Sequence, residues 1–348
     1  QDGIWMGDFR YAVTQVSSNV NLTNSTVKRS GRDYRAQAGV MLGNGGTISN
    51  NKVEDSSYIG IHAFKNSIIS RNSVINSCLD FDDCGAIYAI SRGESGQSEG
   101  YYLNLMINDN IVVNGPGQVD GRGDTGSSAK GIYMDDFANG VNLKNNFVMG
   151  FDFGFQLHFA RDVQVSGNKT FNNRVAELWL QENAISQAFN CAGKLGCDAS
   201  NYLMDNSIFN NAFAAAEPSK LIWQSSGYAS TSDFASFSNN RYASTSSKEL
   251  VLDQLPSSEV AHQVLSSWQA TGKDIDSTLY RTVKGYTPVS GAPNLVSEST
   301  FDNAGQGWNG YNGIRTLTVS GCRTAPCLAI TPAAGATIEN GRRVFLIN

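Results

Sequence analysis

The chain has 348 residues, 41% hydrophobic and only 16% charged, with a formal net charge of −5. That charge argues against a nucleic-acid or anionic-membrane surface, since either would need a basic face, and no apolar run reaches the ~18 residues of a membrane span. The 35 Gly against 7 Pro, with abundant Asn and Ser, point to many short strands joined by tight turns.

Gln1-Asp2-Gly3-Ile4-Trp5 shows neither a basic n-region nor an apolar h-region, so any secretion signal is expected to be already gone. An apolar-x-x-Asn-x-apolar step then recurs. It reads Leu22 to Val27, Ile48 to Val53, Ile69 to Val74, Ile107 to Val112, Leu143 to Val148, Val165 to Thr170, Leu203 to Ile208 and Phe237 to Tyr242. The fourth position is Asn in seven of the eight steps (Asn51, Asn72, Asn110, Asn146, Asn168, Asn206, Asn240) and Ser25 in the other. Asn51 to Asn72 spans 21 residues, Asn146 to Asn168 spans 22, Ser25 to Asn51 spans 26, and the remainder run 34 to 38. A period near 21 with alternation inside each unit predicts a parallel β-solenoid whose coils bury their apolar faces by stacking. The repeated Asn is expected to form a ladder at an inward bend, tolerating the left-handed conformation there. On this repeat, roughly residues 1–255 resemble the right-handed parallel β-helix superfamily (pectin-lyase-like), which includes pectate lyases and many glycan-cleaving enzymes.

Insertions interrupt the coils near 76–84, 91–104, 114–129 and 183–200, and long loops leaving one side of a rigid solenoid usually build a binding site. The third, Gly115 to Gly126, is Gly-rich, and its Arg122-Gly123-Asp124 reads as incidental rather than as an integrin motif. Six cysteines fall into three close pairs, Cys78/Cys84, Cys191/Cys197 and Cys322/Cys327. That spacing suits local disulfides in an oxidising compartment, hence a secreted, extracellular protein, with free buried thiols as the alternative. Of the glycosylation patterns at Asn21, Asn24 and Asn168, the last falls on the ladder and is expected to be inaccessible.

Beyond Leu250, residues 257–272 carry Ala261, Val264, Leu265 and Trp268 at helical spacing, with Ser257 as N-cap and Gly272 as stop. Trp268 to Ser277 resembles the segment that closes the β-helix in many polysaccharide-active enzymes. Asn294 to Asp302, with Gly307-Trp308, is similar to the first strand of jelly-roll carbohydrate-binding modules. The expected organisation is all-β: a right-handed parallel β-helix over 1–255, a closing helix and linker over 256–293, and the start of a β-sandwich over 294–348. Neither end carries the cap an open solenoid needs, so N- and C-terminal parts of a longer protein are expected as partners of this chain.

Alternation places His62, Tyr88, Tyr133, Gln156 and Trp179 in one outward column, with Asp135 and His158 in an adjoining one and Glu177 and Gln181 also outward. Rings beside carboxylates and amides suit a sugar chain, which offers apolar ring faces and hydroxyls. Asp135-Asp136 leads for catalysis. Glycoside hydrolysis needs two carboxyls, ~5–5.5 Å apart for retention and ~6.5–9.5 Å for inversion, and the partner candidates are Glu177, Asp82, Asp83, Glu94 and Asp120. Gly131-Ile132-Tyr133-Met134-Asp135-Asp136, with Asp83-Cys84-Gly85-Ala86-Ile87-Tyr88 one coil earlier, resembles paired motifs of β-helical glycoside hydrolases. That resemblance implies a catalytic carboxylate at Asp135 and assigns no second one.

The competing enzyme is a polysaccharide lyase or epimerase, which must neutralise a uronate carboxylate by Ca²⁺ or a basic side chain and supply a base. His158, Arg161, Lys130, Tyr133 and Arg92 are candidates for those roles, and Asp80, Asp82 and Asp83 for Ca²⁺. The Arg- and Lys-bearing strand motifs of the pectate, alginate and chondroitin lyase families are not found. Turn capping or Ca²⁺ binding is the alternative for Asp135-Asp136, and an ordinary hydrogen-bonded surface histidine for His158. A non-catalytic glycan-binding β-helix, of adhesin or tail-fibre type, is the third class. The irregular, loop-rich middle favours an enzyme, and a hydrolase requires no cofactor.

Overall fold

The computed structural model describes residues 4–6, 19–32, 37–91, 102–118, 128–182, 203–216, 218–227, 230–231, 233–244, 250–262, 264–281, 317–318 and 327–328. The Cys191/Cys197 pair, Cys322, Arg92, Glu94 and Asp120 lie outside them.

Almost every described element is a strand, and the strands form three long sheets of ten, eight and nine. Each coil contributes one strand to each sheet in turn, and neighbouring coils pair in parallel, as Tyr88 with Tyr133, Ile107 with Leu143 and Val112 with Val148. The result fits a β-helix solenoid. Its interior is a stack of apolar columns: Ile61, Ile87, Ile132, Phe155 and Leu178 from the first sheet meet Ile69, Ile107 and Leu143 from the second, all buried.

The repeat marks the bend between the second and third sheets. Asn51, Asn72, Asn110, Asn146 and Asn168 stack: from Asn72 onward each carboxamide oxygen accepts from the backbone N–H and side-chain N–H of the Asn one coil before, at 2.8–3.0 Å, and that of Asn51 accepts the Ser25 backbone N–H at 2.9 Å. Two details differ from expectation. The left-handed residue is the one before the ladder Asn, as at Asn50, Asn145 and Gly167 with φ of 56°, 56° and 67°. And the ladder passes from Asn168 to Asn211, not Asn206. Ile208 belongs to two overlapping matches, Leu203 to Ile208 and Ile208 to Phe213, and the second has the apolar positions in register. Asn206 instead ties Ala160, Val163 and Phe234 together. Asn168 is fully buried, as expected of a ladder residue.

The expected helix over 257–272 is only Leu265–Gln269. Ser258–His262 pairs antiparallel with Val251–Leu255 and covers the open edge of the first sheet. Satisfying that row of backbone groups outweighs a helical pattern resting on few apolar residues. Trp268 is buried edge-on to Phe237 at 4.9 Å, and Ser277 Oγ accepts the Asn240 N–H, ending the ladder. The chain divides into two compact units, Gln1–Leu279 and Tyr280–Asn348. Of the second, the described residues are Tyr280 and Arg281, in strand conformation, and an antiparallel pair, Leu317–Thr318 with Cys327–Leu328, so the expected β-sandwich lies mostly outside the described residues.

Candidate active site

The outward face of the first sheet carries the column that alternation predicts. His62, Tyr88, Tyr133, Gln156 and Trp179 are register partners on successive coils, and Trp223 continues the series. The rings touch along it: His62 lies 5.0 Å from Tyr88, Tyr88 lies 5.4 Å from Tyr133, and Trp179 stacks on Trp223 at 4.9 Å.

Asp135 and His158 stand two residues further along their strands. The Asp135 carboxylate accepts from Tyr88 Oη at 2.8 Å and Tyr133 Oη at 2.9 Å, and lies 2.8 Å from His158 Nδ1. Asp136 reaches the same nitrogen at 3.2 Å. A tight turn holds the pair, closed by the Ala138 N–H on the Asp135 carbonyl at 2.9 Å with Phe137 at φ 64°. Burial would push Asp135 up, but the hydrogen bond and charge of His158, the Asp136 N–H and Tyr88 outweigh it and hold it down at about 2. Burial would lower His158, but both carboxylates outweigh it and hold it up at about 9. The pair is therefore ionic across the neutral range. The His158 contribution to stability is complete below its ordinary value near 6.5 and is lost as pH rises through about 9. Tyr88 and Tyr133 are pushed up by burial and by Asp135, so both remain donors.

Asp135, Asp136 and His158 place three donor atoms within 4.8 Å of one another, a spacing a divalent cation can use. His158 offers one positive charge to two carboxylates, and its hydrogen bond goes to Asp135, so the cluster keeps negative charge at Asp136. Asp80 and Asp83, two of the Ca²⁺ candidates, are ion-paired with Arg32 and Lys130.

Asp83 sits at φ 41° in the loop closed by the Cys78–Cys84 disulfide. Its carboxylate takes Lys130 Nζ at 2.6 Å, and that ammonium lies 4.3 Å from the centre of the Tyr133 ring. Lys130 is 1% exposed; burial lowers its pKa, and Asp83 opposes the shift. His62, pushed down by burial to about 4, is neutral and stacks on Phe64.

Two candidates are placed elsewhere. Glu177 points inward, fully buried, with its carboxylate on the Asn173 backbone N–H and side-chain N–H at 3.1 and 2.5 Å. Alternation fails there because the chain enters each strand of the first sheet through a bend at which two successive residues face in. The positions at that bend are Gly39, Gly60, Ala86, Gly131, Gly154 and Glu177, and a Cβ on Gly131 would lie 2.1 Å from Val148. Arg161 begins a strand of the second sheet and faces Asp162 and Asp205 at 3.9 and 3.6 Å.

Burial pushes Glu177 up to about 8 against the Asn173 hydrogen bonds. Between its ordinary 4.5 and about 8, the folded state holds a proton that the unfolded state has lost, so stability falls as pH rises through this window. The gap corresponds to roughly 5 kcal/mol at most. Glu177→Gln is expected to flatten that slope, gaining on wild type by roughly 3–5 kcal/mol between pH 5 and 8 in urea unfolding. A stability difference that does not change with pH would sink this.

Two positions at or beside this face are not among the candidates taken from the sequence. Trp223 aligns with Trp179 once Lys220–Ser226 is read as the next strand, a signal the sequence did contain. Arg174 gave none. Its guanidinium holds Asp152 at 2.7 Å and the Gly115 carbonyl at 2.8 Å, while Asp152 accepts the Ala129 N–H at 2.9 Å. Both ends of the Gly-rich insertion are thereby fixed where the chain turns into the Lys130–Tyr133–Asp135 strand.

Comparison of the chain with protein-family models, with curated proteins and with solved structures returns no significant match.

Proposed function

We propose that this chain is a secreted, right-handed parallel β-helix of the pectin-lyase-like type that hydrolyses a glycosidic bond in a neutral polysaccharide bound on the face of its first sheet. One observation carries the reading: the Asp135 carboxylate stands on a ring-lined outward face, held by two tyrosine hydroxyls and the His158 imidazole. A carboxylate kept charged beside aromatic rings is what an oxocarbenium-like transition state requires. Asp135 acts as nucleophile or base, Tyr88, Tyr133 and His158 fix its oxygens, and the acid step is assigned to no residue, since Asp83 faces the Lys130 ammonium and Asp136 faces His158.

A lyase is less well supported. It needs a cation for the uronate carboxylate, and Lys130 and His158 already face carboxylates of the protein. Four aspartates around the groove (Asp82, Asp83, Asp135 and Asp136) would also repel an acidic chain.

The test is product analysis on a panel of neutral and uronic polysaccharides, reading new reducing ends alongside the ultraviolet absorbance of unsaturated uronates. Reducing ends without the chromophore are expected, from neutral substrates. Growth of the chromophore would replace this reading with the lyase, and absence of cleavage across the panel would favour a glycan-binding scaffold.

A further inference from the structure

We infer that Trp223, with Trp179 and Ser225, forms a distal sugar-binding subsite displaced from Asp135 along the solenoid axis, so that the protein grips the interior of a long chain. The inference rests on the glycan-groove reading but not on the cleavage step.

Three observations converge on it. The first is position. Tyr133, Gln156, Trp179 and Trp223 are consecutive register partners, so Trp223 stands three ladder steps from Tyr133, about 14 Å at ~4.8 Å per step. A ligand reaching both must lie along the axis and extend well beyond the bond beside Asp135.

The second is unmet hydrogen bonding. The Trp223 indole N–H is shielded from solvent and has no partner among the described residues, and the same holds for the Gln156 amide oxygen, on a side chain 1% exposed. Each such group costs about 1–3 kcal/mol. One is a donor and the other an acceptor, and they stand two ladder steps apart, about 10 Å, so hydroxyls of different sugar units would meet them. Trp179, in contrast, is satisfied: its indole N–H donates to Ser225 Oγ at 2.9 Å. Ser225 accepts there, which leaves its own hydrogen to be donated onward, beside Trp223.

The third is apolar surface. Trp179 and Trp223 are both partly exposed, and their rings stack at 15°. Two adjacent indoles on an outward sheet face form a rigid apolar step, and sugar C–H faces pack on such rings.

The experiment uses the Asp135→Asn protein, so that binding is read without cleavage. Soluble oligomers of β-glucan, xylan, mannan and arabinan, from disaccharide to octasaccharide, are titrated while tryptophan emission is followed. The same titration is run on Asp135→Asn/Trp223→Phe, which keeps a ring and removes the N–H. Affinity should rise with chain length, and the second change should weaken the long oligomers about tenfold while leaving disaccharides alike. Equal affinities in the two proteins at every length, or no saturable change with any oligomer, overturns the subsite. Length-dependent binding through Trp223 in a protein that cleaves nothing would retain the subsite and remove the hydrolase. Cleavage by the wild-type protein with no effect of Trp223→Phe would do the reverse. Matching thermal melts of the two variants exclude misfolding as the cause.

Discussion

Asp135→Asn is expected to lower the cleavage rate by at least about 10³-fold in a protein that still folds. The amide keeps the shape of the carboxylate and one acceptor oxygen for the tyrosines. It removes the negative charge that the proposed chemistry uses to attack or to stabilise a developing cation. It also removes the larger of the two carboxylate influences on His158, whose pKa should drop from about 9 towards its ordinary value. Breaking a buried ion pair costs stability, on the order of 3 kcal/mol, so rates belong well below the melting transition, with circular dichroism confirming the fold. Histidine NMR titration separates the two effects. A lowered His158 pKa with wild-type cleavage would sink the catalytic role while confirming the ion pair, and a rate within tenfold of wild type is enough to do so.

The second large effect concerns the ladder. Asn146→Ala removes the Nδ2 donations to the Ile107 carbonyl at 2.8 Å and to Asn168 at 3.0 Å. It also removes the oxygen that accepts the Asn110 backbone and side-chain N–H at 3.0 and 2.9 Å. The residue is 1% exposed, so water does not readily replace it. At ~1–3 kcal/mol per buried group left without a partner, the loss should be about 3–5 kcal/mol, or roughly 10 °C in melting temperature. The neighbouring Asn145 is exposed at φ 56°, where glycine is at ease. Asn145→Gly should therefore change stability by less than about 1 kcal/mol. Similar losses for the two substitutions in urea unfolding would mean that the repeated Asn matters for its bend and not for its hydrogen bonds.

Much of the architecture was legible because a solenoid writes itself into the sequence. Every coil solves the same problem with the same residues, so the Asn ladder, the apolar columns and the Gly that opens many strands recur at readable intervals. The outward column from His62 to Trp179 followed from alternation, and Asp135 with His158 followed from it. The failures are equally specific. Leu203 to Ile208 and Ile208 to Phe213 fit the repeat equally well as strings, and only the pairing of Ile208 and Phe213 with neighbouring coils chose Asn211. Residues 257–262 had a weak helical pattern, and the unpaired edge of the first sheet made them a strand.

The sequence by itself determined the repeat, the bend that carries it, and which face of the first sheet holds the rings and the Asp135 carboxylate. These depend on periodicity, a local property. Only the tertiary structure decided that Glu177 turns inward, that Lys130 reaches Asp83 from 47 residues away, and that Arg174 fixes both ends of a distant insertion. It also decided the charge states at the centre of the site. Alternation cannot foresee a bend that sends two successive residues to the same side, and a pKa is set by burial and by partners on other coils. The stacking of one coil on the next creates both.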